Sequence, residues 1–276
     1  MDVSIVIPAY NEENRLGPTL RDAADYFAST GRTFEIIVVD DGSRDGTSEL
    51  VRSLMPEMPS LRLIRLAANR GKGHAVRTGV VNSAGRLVLF ADADGATPFP
   101  EFQRLERAIA GGADVAIGSR AVRGEEVEVR AKLYRRIIGR AFHLLVSTLT
   151  VKGFEDTQCG FKLFRSAVAH DLFSRLRMDG FVFDVEVLLM ARRGGYEVDE
   201  IPVNWEHQPG SRVNLALDSL RMARDLFIIR AHILRGHYDQ PHIASLGSVE
   251  RRGDADEDAR VVKREARKAA GLRGGA

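Results

Sequence analysis

Arg86-Leu-Val-Leu-Phe-Ala91-Asp92-Ala-Asp94-Gly95 is the stretch on which the fold class turns. A short apolar run ended by a turn signal reads as a buried strand. Two aspartates spaced two residues apart on extended backbone project both carboxylates to the same side of the chain. Asp92 and Asp94 are therefore placed to share one cation. Oxygen-only ligands favour Mg²⁺ or Mn²⁺ over zinc, and such ions complete their shells with water and substrate phosphates. A ligand bearing a diphosphate is the natural partner. In isolation the motif reads equally well as a polar turn; what lowers that reading is the recurrence of strand followed by carboxylates elsewhere.

Working outward, apolar β-branched runs lie at Val3 to Ile7, Glu35 to Val39, Leu61 to Leu66 and Asp114 to Gly118. Helical patterns cover Leu16 to Thr30 and Ser48 to Met55, and a further helix begins near His74. Strands alternating with helices predict βαβ units, hence an α/β fold with a mostly parallel central sheet flanked by helices. The continuous run Ile36-Ile-Val-Val39 suits a strand covered on both faces. In such sheets ligands bind beyond the carboxyl ends of the strands. The first strand ends in Pro8-Ala-Tyr-Asn-Glu-Glu13 and the second in Asp40-Asp-Gly-Ser-Arg-Asp-Gly46. Asp40 and Asp41 invite a phosphoacceptor receiver reading, which leaves Asp92-Ala-Asp94 and the second half of the chain unexplained. No Gly-x-Gly-x-x-Gly follows the first strand, against a dinucleotide-binding Rossmann site. Gly71-Lys72-Gly73 brings a cation and backbone N–H groups to a helix start, a phosphate-binding arrangement or a solvated turn.

Beyond Arg120 the chain changes character. A charged segment spans residues 123–130, and an amphipathic helix is predicted from about Lys132 to Thr150. Further predictions are a helix over Phe183 to Arg193, a strand over Val198 to Trp205 and a long helix over Leu215 to Leu234. Residues 239–276 are charged and poor in large apolar groups, which predicts a disordered tail. The expected organisation is one domain over 1–238, with a ligand-binding half over 1–120 and an acceptor half over 121–238. With 40 basic against 38 acidic residues there is no nucleic-acid footprint. Cys159 is the only cysteine, which rules out an intramolecular disulfide and a Cys-based zinc site.

The N-terminus shows no signal peptide, and Ile137 to Val151, interrupted by Arg140, His143 and Ser147, is too short to span a bilayer. A cytoplasmic chain without a transmembrane helix is expected. Arg120, Arg123, Arg130, Lys132, Arg135, Arg136 and Arg140 adjoin Ile137, Ile138, Phe142, Leu144, Leu145 and Val146. That combination suits peripheral contact of the 132–150 helix with the cytoplasmic face of an anionic membrane, with core packing as the alternative. His207 admits two readings, a third metal contact or a surface histidine.

Taken in order, these segments resemble family 2 glycosyltransferases of the GT-A nucleotide-sugar-binding fold, most closely the dolichyl-phosphate β-glucosyltransferases and other polyprenyl-phosphate glycosyltransferases. The more selective motifs are Asn69-Arg-Gly-Lys-Gly73, Asp92-Ala-Asp-Gly-Ala-Thr97, Gly118-Ser-Arg120 and Val151-Lys-Gly-Phe-Glu-Asp-Thr-Gln-Cys-Gly-Phe-Lys-Leu-Phe164, then Phe183-Asp-Val-Glu186 and Gly210-Ser-Arg212. The resemblance implies that Pro8, Tyr10, Glu12 and Asp40 cradle the nucleoside, that Asp92 and Asp94 engage the donor diphosphate through the metal, that Lys72 assists, and that Ser211 and Arg212 close over the phosphates. It implies that Arg120 and Arg130 face an acceptor phosphate. The expected reaction is inverting transfer of a sugar, glucose from UDP-glucose in preference, to a polyprenyl phosphate. Asp156, Asp184 and Glu186 are candidates for orienting the acceptor or sugar hydroxyls, or for helix capping. The alternatives are a GDP-mannose-dependent mannosyltransferase, transfer to a soluble acceptor, and a non-catalytic nucleotide-sugar-binding scaffold. Asp179-Gly180 departs from the family's usual acidic-Arg-Trp stretch.

Overall fold

The computed structural model describes residues 1–122, 128–130, 146, 148–151, 153–208 and 215–238. The sequence folds as β1 (Val3–Ala9), α1 (Leu16–Ser29), β2 (Phe34–Asp40), α2 (Thr47–Leu54), β3 (Leu61–Arg65), α3 (Lys72–Val81), β4 (Leu87–Ala91), a 3₁₀ turn (Phe99–Glu101), α4 (Phe102–Ala110) and β5 (Val115–Ser119). There follow β6 (Val129–Arg130), β7 (Phe161–Arg165), α5 (Ser166–Ser174), α6 (Phe183–Arg193), β8 (Val198–Pro202), β9 (Trp205–Glu206) and α7 (Leu215–Leu234). A seven-stranded sheet runs β3-β2-β1-β4-β7-β5-β8, and β6 pairs with β9.

Period-2 alternation sorts the strand side chains onto two faces. Ile5, Ile7, Ile36 and Val38 pack with Leu20 and Phe27 of α1, Val51 of α2 and Leu105 of α4. Val6, Val88 and Phe90 pack with Val76 and Val80 of α3, Leu172 of α5 and Leu188 of α6. Helices thus cover both faces, which is why the central strands are apolar throughout. β1 pairs in parallel with β2 on one side and β4 on the other. The chain order reverses there, and the crevice it opens lies at the carboxyl ends of these strands.

The expected parallel pairings hold for β1 with β2, β1 with β4, β2 with β3, and β5 with β8. The exception is β7, inserted antiparallel between β4 and β5. Its segment carries Lys162 at a buried position, which masks its strand pattern. The strand expected over Val198 to Trp205 divides: Val198–Pro202 completes the main sheet, while Trp205–Glu206 pairs with Val129–Arg130. Helices α4 and α5 were not anticipated. Of the 132–150 helix only Val146 and residues 148–150 are described; its basic residues, Ser211, Arg212 and the tail over 239–276 lie outside the described residues. Among the described residues no helix is long and apolar enough to cross a membrane.

Candidate active site

The loops after β1, β2 and β3 are laced together before any ligand arrives. Asn11, at a positive φ of 55°, donates its N–H to the Ser43 hydroxyl and accepts from the Arg44 N–H, each at 2.9 Å. The Glu12 N–H donates to Thr47 Oγ1 at 2.8 Å. Asp40 is fully buried and accepts from the Ser43 N–H and the Ser48 hydroxyl. Asp41 accepts from the N–H groups of Arg70 and Gly71, both at 2.8 Å, and burial pushes its carboxyl up. The adjacent aspartates thus divide their work: Asp40 shapes the loop from beneath, while Asp41 lines the cavity. The resemblance assigned the ligand role to Asp40; of the two, Asp41 is the one that lines the cavity.

Asp92 and Asp94 follow β4. The Asp92 N–H donates to the Gly160 carbonyl at 2.9 Å, and its Oδ1 meets Lys72 Nζ at 2.6 Å. Gly160 is required by this approach, since a Cβ there would fall 1.9 Å from Asp92 Oδ2. Lys72 opens α3 and lies 5.1 Å from the centre of the Phe90 ring. Burial works against its ammonium, but Asp92 and Asp184 outweigh that and raise its pKa. Asp94 accepts the Ala96 N–H at 3.1 Å; its nearest cation, Arg15, stands 4.0 Å away and is held bidentate by Glu12. Burial and the neighbouring Asp92 charge push the Asp94 carboxyl up. Asp94 in that condition is short of positive charge, and its carboxylate and that of Asp92, both lining the cavity, are oxygen donors that fit Mg²⁺ or Mn²⁺ completed by water and phosphate. Among the described residues no three of His, Cys, Asp and Glu are grouped as ligands. His207 stacks on Trp205 at 6.2 Å and is not among the residues that line the two hollows described below.

These groups face a cavity of about 680 Å³. Pro8, Tyr10 and Glu12 line it with Lys72, Asp92 and Asp94, as the sequence suggested. The rest of the lining, not foreseen, includes residues 177–181 and Arg221, Met222, Arg224, Asp225 and Ile228 of α7. A second hollow of about 450 Å³ shares Tyr10 and Asn69 and adds Arg44 and Arg65. A Cβ on Gly71 would meet the Asp179 carbonyl at 2.4 Å, and one on Gly73 the Met178 carbonyl at 2.4 Å. The Asp179 carboxylate also takes Arg77 at 3.2 Å. Loop 177–181 therefore seats on the N-terminus of α3, beside Lys72.

Arg120, Asp156, Asp184 and Glu186, like Asp40 and His207, are not among the residues that line the cavity. Arg120 donates from Nε and Nη2 to Asp156 at 2.6 and 2.9 Å and covers the Trp205 ring at 5.4 Å. Burial alone would raise the Asp156 carboxyl, but Arg120 outweighs it and holds it low. Asp184 pairs with Lys162, both buried, at 2.5 Å. Burial pushes the Asp184 carboxyl up, while Lys162 and Lys72 pull it back. Glu186 accepts from the N–H groups of Arg177 and Met178 and from the Tyr238 hydroxyl. Each of the three carboxylates has charge or hydrogen-bond partners inside the protein. The Arg130 backbone lies in β6; its side chain falls outside the described residues.

Residues 4–173 match the family model for glycosyl transferase family 2. Dolichyl-phosphate beta-glucosyltransferase of Saccharomyces cerevisiae is 40% identical over 254 residues, covering 86% of this chain and 76% of that protein. The Homo sapiens protein of the same name is 40% identical over 247 residues, covering 85% and 76%. Among solved structures, glucosyl-3-phosphoglycerate synthase from Mycobacterium tuberculosis with uridine-diphosphate superposes with a TM-score of 0.60 at 17% identity, covering 87% of this chain and 81% of that one. The same enzyme with Mn²⁺, UDP-glucose and phosphoglyceric acid gives 0.60 at 16% identity, covering 87% and 80%. The fold is thus that of the GT-A glycosyltransferases.

Proposed function

The chain belongs to glycosyl transferase family 2 and is a glycosyltransferase, and we propose that it moves glucose from UDP-glucose to a polyprenyl phosphate, with inversion, using Mg²⁺ or Mn²⁺. The observation that carries this reading is the Asp92, Asp94 and Lys72 cluster at the sheet's switch point, inside a cavity long enough to continue to α7. The name shared by relatives at 40% identity supports glucosyl transfer and a lipid-phosphate acceptor.

Asp92 and Asp94 would hold the metal, which when bound supplies positive charge for the departing diphosphate. Lys72, kept protonated by its acidic neighbours, places a second positive charge beside it. Tyr10, between the two hollows, suits the nucleoside, with Arg44 and Arg65 beyond. A phosphate monoester has a second pKa of about 6 and is largely dianionic at neutral pH, so its oxygen needs little help from a base. What the protein must supply is position. Arg177 and Arg221 line the same cavity as the carboxylates, which Arg120 does not, and are the basic residues we assign to that phosphate.

The deciding experiment gives the purified chain UDP- and GDP-sugars, either metal, and polyprenyl phosphate in detergent. Glucose should appear on lipid from UDP-glucose and stop with EDTA. Preferential transfer from GDP-mannose, transfer without lipid phosphate, or turnover unaffected by EDTA would each overturn the corresponding part.

Gly160→Ala provides a geometric check. Its Cβ displaces the Asp92 carboxylate by about an ångström or more, a misplacement worth roughly 100-fold in kcat. A variant that melts normally and turns over at wild-type rate would show that the Asp92 position is unimportant.

A further inference from the structure

Helix α7 has three faces. Leu226 and Ile229 are buried in the core, and Tyr238, just past its end, reaches Glu186. Met222, Asp225 and Ile228 look into the cavity. The third face carries Leu220, Phe227 and Leu234, which are 71%, 59% and 74% exposed. These three recur every seven residues, close to two helical turns, so they form one stripe about 21 Å long. Outside α7, the exposed large apolar residues among those described are scattered. Single exposed apolar residues need no explanation, but an aligned stripe does.

The charges around the stripe say what covers it. Arg235 borders it on one side and Arg230 on the other, both exposed, while Arg224, exposed beside Arg235, pairs with Asp225 at 2.8 Å. From Leu220 to Leu234 the only carboxylate is Asp225, which is turned to the cavity. An apolar stripe edged by arginines, with no acid on that face, matches an anionic lipid surface: the rings and methyls enter the acyl boundary and the guanidiniums stay among the headgroups. At about 100° per residue the stripe lies next to the cavity face, with Arg224 and Ile228 between them.

We propose that α7 lies on an anionic membrane surface through Leu220, Phe227 and Leu234, and so sets the cavity mouth at the headgroup level. This surface serves the lipid-acceptor reading, since a phosphate carried on a prenyl chain then meets Arg221 and Arg177 while its chain stays in the bilayer. The 132–150 helix, on which the sequence placed a membrane contact, is described only at Val146 and residues 148–150.

Flotation of the full chain tests it, using phosphatidylcholine vesicles with and without phosphatidylglycerol. The wild type should float with the anionic vesicles. A Leu220→Ser, Phe227→Ser, Leu234→Ser variant should lose at least about 30-fold in partition, from three side chains no longer buried. Arg230→Glu with Arg235→Glu should abolish the preference for anionic lipid. Circular dichroism and UDP binding check that the variants fold. Equal flotation of triple variant and wild type, or no flotation of either, overturns the proposal. So does a triple variant that turns a dimer into a monomer in sedimentation, which would make the stripe a contact between copies. No donor or acceptor is present in this experiment, so its failure leaves the transfer reading standing, and the reverse also holds.

Discussion

Replacing Asp92 and Asp94 together by asparagine is expected to lower kcat by at least about 10³-fold, because two preorganised charges at the leaving diphosphate are lost together. The fold should not suffer in proportion. Asp92 and Lys72 are partly exposed, so breaking their pair costs no more than about 1 kcal/mol. Asp94 has no cation closer than 4.0 Å, and asparagine can still accept the Ala96 N–H. Its carboxyl is pushed up in the folded chain by burial and by Asp92. The folded state therefore holds that proton more tightly than the unfolded state does. Stability is fully present below the ordinary carboxylate range and declines as pH rises through the raised value. Asp94→Asn removes the decline, so the single variant should melt at or above the wild-type temperature at neutral pH and level with it in acid. Loss of turnover with unchanged or higher stability marks a site whose charges are kept for ligand. Metal-dependent turnover surviving in the double variant would end the central assignment. An Asp94→Asn chain clearly less stable at neutral pH would show that the carboxylate serves the fold.

What could be seen in the sequence was local. The ends of β1, β2 and β4 were visible because an apolar run and the carboxylates after it are neighbours in the chain, and the bounds of α6 and α7 followed from helical patterning. The gaps have a common cause in long-range pairing. β7 escaped notice because Lys162 interrupts its apolar run, and only Asp184, brought alongside by α6, makes a lysine tolerable there. Asp40 and Asp41 cannot be told apart in sequence, yet consecutive strand residues point to opposite sides, so one turns to Ser48 and the other to the cavity. That Asp156 is held by Arg120, 36 positions away, is likewise invisible in the local sequence. α7 was recognised as a helix, but nothing local says which face meets the cavity and which is left exposed.

The Lys162 and Asp184 pair allows the second large effect to be stated with a control. Either Asp184→Asn or Lys162→Met leaves one buried group without its counter-charge, at a cost of about 3–5 kcal/mol. For a chain of this size that is a fall in Tm of roughly 10 °C. Changing both, Lys162→Met with Asp184→Leu, removes the charges together and should recover most of the loss, a coupling visible in a double-mutant cycle. The burial that pushes the Asp184 carboxyl up against the pull of Lys162 is consistent with a pair that adds little net stability but cannot be halved. Recovery of stability should not bring full recovery of activity. Lys162 Nζ also donates to the Cys159 carbonyl at 2.6 Å, and the next residue, Gly160, sets Asp92. Asp184 in turn helps keep Lys72 charged. The stable double variant should therefore bind UDP but turn over about tenfold more slowly, from loosened placement of Asp92 and Lys72. An Asp184→Asn protein that melts like the wild type while losing turnover would place that carboxylate on the substrate, and the positioning role argued from its pairing with Lys162 would be withdrawn.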